Sequence, residues 1–154
     1  MHAISQSAVW LKEPSVNAGV VIVTSAALPQ YMIDKLHQSI DDWDEVAYLV
    51  VKQSRAFMRD WLRAGSDPDD SKLAATCHAR QLLRCVAKGC FLLDVEASPI
   101  PSLTWLGSVC GHPLRVVRMG KAAASDAAMD QQVEEILSVT RTLAKSVLQE
   151  RCVI

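Results

Sequence analysis

The sequence predicts a mainly α fold, a helical bundle built on three long helices over about 29–64, 68–95 and 125–151. Three observations lead there. Apolar residues recur at steps of three and four through each stretch. Residues that start and stop helices stand near their ends. The breakers gather between them, at Gly65 to Pro68, Ser98 to Pro101 and Gly111 to Pro113.

The first helix is expected to open on Pro29, where a missing N–H costs nothing, and to close at Gly65, which suits the left-handed position past a helix end. Between them Ile33, Leu36, Ile40, Trp43, Ala47, Val50, Ser54, Phe57 and Trp61 form a seam in which only Ser54 is polar. At ~1.5 Å per residue a continuous helix here would run about 54 Å. A domain of this length is only roughly 30 Å across. The helix would therefore protrude and leave part of its seam for a partner. Ser39 with Asp42 imitates a capping box and offers a break, but the seam keeps phase through it.

The second helix has Asp67 as N-cap and Pro68 at its first position, with Asp69 and Asp70 favouring the positive end of the dipole. Ala75, Ala79, Leu82, Leu83, Val86, Cys90 and Leu93 share one face, and Arg80, Arg84 and Lys88 lie nearly opposite. The third helix is capped by Ser125. It carries Met129, Val133, Ile136, Thr140, Leu143 and Val147 on its apolar side and ends near Arg151.

Outside these helices, short irregular or β segments are expected near 16–24 and 114–119, where Val20 to Val23 and Arg115 to Met119 are placed to pair. A shorter helix is expected over Leu103 to Cys110. Residues 1–154 read as a single domain, with 1–15 as a loosely ordered N-terminal arm.

Composition narrows the function classes. Half the residues are hydrophobic and the formal net charge is −1, which allows a core and gives no bulk charge for nucleic acid. No apolar run reaches the ~18 residues of a membrane span, and the N-terminal residues lack a signal-peptide pattern. Cys152 stands third from the end, one place short of a prenylation box. Five widely spaced cysteines, Cys77, Cys85, Cys90, Cys110 and Cys152, predict free thiols in a cytoplasmic protein.

No motif carries a specific chemistry. Cys110 and His112, in a stretch rich in small residues, are the best candidates for a thiol nucleophile and its base, set against the plainer reading of a structural turn. Neither Cys110-x-His112 nor Cys77-His78 has zinc-ligand spacing, so no metal and no cofactor are expected. The acids Asp41, Asp42, Asp44 and Glu45, and Glu134 with Glu135, read as solvated faces. The basic line Arg80, Arg84, Lys88 fits a phosphate backbone or, more plainly, a wet helix face. No aromatic residues interleave with it.

The expected function is therefore a helical protein–protein interaction or regulatory module that self-associates as a homodimer, with no catalytic activity evident. Its interaction residues are Ile33, Leu36, Ile40, Trp43, Val50, Phe57 and Trp61. A small thiol-dependent enzyme or sensor using Cys110 and His112 is the alternative. A nucleic-acid binder using Arg80, Arg84 and Lys88 is the second alternative. No membrane partner is expected.

Overall fold

Uninterrupted apolar runs decide the architecture. A computed structural model describes residues 7–65, 77–97, 102–119 and 125–152. In chain order its elements are β1 (Ala8–Lys12), β2 (Val20–Ser25), α1 (Gln30–Ser39), β3 (Val46–Val51), α2 (Ser54–Gly65), α3 (His78–Leu83), β4 (Phe91–Glu96), a 3-10 helix (Thr104–Ser108), β5 (Leu114–Arg118) and α4 (Asp126–Cys152). The five strands form one sheet in the order β1-β3-β2-β4-β5. β1 runs antiparallel to β3, and the remaining pairs are parallel.

Parallel strands need long crossovers, and helices supply them on both faces of the sheet. α1 and α4 pack on one face, against Ile22, Tyr48, Val50, Leu93 and Val95. Residues of α2, α3 and the 3-10 helix pack on the other, against Val21, Val23, Leu49, Val51 and Leu92. Each central strand is thus buried on both sides, and such strands read as continuous apolar runs rather than alternating ones. Every residue of β2 and β3 is buried.

This α/β architecture overturns the helical bundle. The predicted helix over 29–64 is α1, β3 and α2 in succession. Its seam stays in phase because Val46–Val51 is apolar throughout, so a helical period finds an apolar residue there wherever it falls. Ile33, Leu36, Ile40 and Val50 then turn to one face of the sheet, and Phe57 and Trp61 to the other. The break after Ser39 is real: Ile40 caps α1, and an acid-rich turn leads to β3. A 54 Å protruding helix does not exist.

The helix predicted over 68–95 is likewise divided. α3 ends at Leu83, Gly89 takes a positive φ of 82° in the following turn, and β4 begins at Phe91. Asp67 to Asp70 and Ala75 lie outside the described residues. The third predicted helix is present as α4, with Val133, Ile136, Thr140, Leu143 and Val147 buried. Arg151 closes it by donating to the Ala18 carbonyl at 2.9 Å. The extended segments expected near 16–24 and 114–119 are β2 and β5, but they do not pair, because β4 lies between them. Residues 8–12, expected in a loose arm, are edge strand β1. Among the described residues no helix is long and apolar enough to cross a membrane.

Candidate functional site

In doubly wound sheets, ligands collect outside the carboxyl ends of the strands, at the point where neighbouring connections leave to opposite faces. Here that point lies between β2, whose chain turns to α1 on one face, and β4, whose chain turns to the 3-10 helix on the other. Strand period sets what stands there. Asp94 and Glu96 alternate with Val95 and share the face of Leu92, beneath the 3-10 helix.

Both acids are buried, Asp94 at 0% exposure and Glu96 at 2%. Glu96 Oε2 accepts the backbone N–H groups of Ser102 and Leu103, each at 3.2 Å, and so anchors the entry to the 3-10 helix. Neither Asp94 carboxylate oxygen meets an N–H donor among the described residues, and the group beside it is the Glu96 carboxyl. Two ionised carboxylates have no proton to share. A proton on Asp94 supplies the donor that Glu96 can accept. Burial first, then the hydrogen bond to Glu96 and its charge, push Asp94 up to about 8. At neutral pH Asp94 therefore holds its proton.

The anchored turn carries an aromatic cluster. Trp105 donates its indole N–H to the Ser102 carbonyl at 3.0 Å. Its ring stacks on Trp61 with centroids 5.0 Å apart and meets Phe57 edge-on at 5.3 Å. Phe57 in turn meets His78 edge-on. His78 Nδ1 lies 3.2 Å from Ser7 Oγ, and the His78 backbone N–H donates to Asp60 Oδ2 at 2.8 Å. This gathers a Ser, a His and an Asp without making a hydrolytic triad. Asp60 holds the backbone rather than the ring, and Ser7 is only 3% exposed. The contacts tie the start of β1 to the start of α3.

The thiol candidates fare poorly as chemistry. Cys110 is half-buried, and burial raises its thiol against the smaller opposite pull of the Arg80 guanidinium. A reactive thiol needs the reverse. His112 is buried with Nε2 unpartnered, and no hydrogen bond joins it to Cys110 among the described residues. Of the seam residues, Ile33, Leu36, Ile40, Val50 and Phe57 are buried within the chain, and Trp43 and Trp61 keep partial exposure. Arg80 and Arg84 are exposed on and just past α3. Lys88 falls in the next turn, so the three do not continue one helical line.

Asp94, Glu96 and the partnership of Trp61 with Trp105 were not singled out by the sequence reading. The signal for the acids was available. Asp94 interrupts the apolar run Phe91 to Val95, and an acid inside a buried strand is rare enough to mark.

No described protein family and no curated protein matches the sequence. Among solved structures the chain is similar to a transketolase from Leishmania mexicana, with a TM-score of 0.52 at 17% identity. The match covers 95% of this chain and 19% of that one, so the chain spans about a fifth of the transketolase's length. At this identity the likeness describes the fold alone.

Proposed function

We propose that this chain is an interaction domain that self-associates, acting by presenting a surface rather than by catalysis. The observation that supports this most directly is the stacked Trp61–Trp105 pair, half-exposed on the sheet face covered by α2, α3 and the 3-10 helix. Leu62, the next residue of α2, is 53% exposed, one of three large exposed apolar side chains among the described residues. Half-buried tryptophans held rigid by their neighbours are characteristic interface anchors, because they bury large area at little entropic cost.

Charge supports a second copy as the occupant. Arg55, Arg59 and Arg63 are exposed along α2 at steps of four, and Asp41, Asp42 and Asp44 are exposed in the turn before β3. One chain thus carries both signs of charge, which allows attraction between copies, although Arg63 also contacts Asp60 of its own helix at 3.6 Å. In the transketolase, a unit of this size is one part of a much longer chain. Five free cysteines fit a reducing compartment, which supports the cytoplasm.

Sedimentation across roughly 1–100 μM is the test, a range in which interfaces of this kind associate. The expected species is twice the 16.9 kDa chain. Leu62→Glu, at an exposed position, is expected to weaken the dimer at least about tenfold while leaving the circular dichroism unchanged. A 16.9 kDa monomer at every concentration overturns the proposal.

A further inference from the structure

The amino end of the sheet holds a second feature, independent of the aromatic patch. Between α4 and the turn into β3 lies a cavity of about 280 Å3. At about 30 Å3 per water it has room for roughly nine non-hydrogen atoms. Its walls include Trp43, Glu45, Ser138, Arg141, Lys145 and Leu148.

Three properties define what would fit. Arg141 lies over the Trp43 ring at 5.2 Å from its centroid, which fixes the guanidinium against an aromatic floor. Its carboxylate contact, Glu134 Oε2, is a long 3.9 Å away, so donor capacity remains. Lys145 stands one turn further along α4 and has no ion pair among the described residues. Arg141 and Lys145 stand against one wall carboxylate, Glu45, and the more distant Glu134 outside the walls, so the positive charge left over suits a monoanion at most. Leu148, 43% exposed, adds an apolar wall beside the indole.

We infer that this cavity binds a small organic monocarboxylate with a flat apolar body. The carboxylate would sit on Arg141 and Lys145, and the body between Trp43 and Leu148. Bidentate geometry makes Arg141 the main contact, with Lys145 as a supporting point charge.

The test titrates the full chain with benzoate, followed by the indole N–H resonance of Trp43, assigned with Trp43→Phe. Saturable shifts with a Kd on the order of 1 mM are expected for a ligand this small. Benzamide, the neutral isostere, should bind at least about tenfold more weakly, because it lacks the charge that both cations read. Arg141→Gln with Lys145→Gln should abolish the benzoate response. Both side chains are exposed, so the fold should survive, and the other amide resonances would show it. The inference is overturned if benzamide matches benzoate, if the double variant still responds, or if no saturation is reached. Inorganic phosphate binding as tightly as benzoate would also overturn it, because the cavity would then be a bare anion site.

Discussion

Asp94 and Glu96 leave β4 on the same side, two residues apart, and share one environment closed to water. Their roles differ because, among the described residues, backbone donors reach Glu96 and not Asp94. Glu96 anchors Ser102 and Leu103, and Asp94 keeps a proton.

This pairing makes stability depend on pH in a definite direction. Asp94 is raised from its ordinary 3.8 to about 8 in the fold. As pH rises between those values, the unfolded chain releases the proton while the folded chain holds it. The contribution of this group is therefore fully present below the unfolded value and is lost as pH climbs to the folded one, at up to about 1.4 kcal/mol per pH unit. Asp94→Asn keeps the shape and a donor without the titration. Urea unfolding should show its advantage over wild type growing from about pH 4 to about pH 8, reaching at least about 2 kcal/mol. A difference that does not change with pH would mean that Asp94 is already ionised in the fold.

Removing the neighbour's charge should move the same titration. Glu96 raises Asp94 both as hydrogen-bond acceptor and as a like charge, and burial raises it more than either. In Glu96→Gln the Asp94 carboxyl, followed by its carbon resonance, is expected to titrate at lower pH than in wild type, yet still above its ordinary value. An unmoved titration would show that the two carboxyls are not coupled.

The thiols should sort by exposure and not by chemistry. Cys85 and Cys152 are exposed, Cys77 and Cys90 are buried, and Cys110 is intermediate. Burial pushes Cys90 up to about 12 and raises Cys110 as well. At pH 7 an aromatic disulfide reagent should react quickly with Cys85 and Cys152, slowly with Cys110, and with Cys77 and Cys90 only after unfolding. Rapid labelling of Cys110 would revive the thiol-enzyme reading.

What the sequence displays plainly is α4. Its apolar positions step by three and four, and Ser125 caps it, its Oγ accepting the Ala128 N–H at 3.2 Å. What it hides is the sheet. Ala47 and Val50 sit three residues apart in β3 and mimic a helical step, yet they face opposite sides. A strand covered on both faces has no polar side to reveal its period of two. The cue was the run itself: six apolar residues between the acid-rich turn at Asp41 to Glu45 and the polar Lys52 to Ser54 are too few for a core helix. The site was illegible for the same reason. Asp94 draws notice only once β4 is a strand, and the Trp61–Trp105 stack depends on a contact between elements that the sequence cannot register.

The other buried polar pair offers a test of the sheet itself. Thr24 on β2 and Tyr48 on β3 join hydroxyls at 2.9 Å on the face under α1 and α4, both at 0% exposure. Tyr48 is raised by burial, so the phenol stays neutral throughout the physiological range and either hydroxyl can donate. Tyr48→Phe leaves the Thr24 hydroxyl with no Tyr48 partner, which should cost about 1–2 kcal/mol. Thr24→Val does the same to the phenol. The double variant removes both groups at once, so its cost should fall short of the sum of the single costs by at least about 0.5 kcal/mol. Additive costs in urea unfolding would mean that the hydroxyls do not meet, and the parallel register that sets Ile22 beside Tyr48 would be in error.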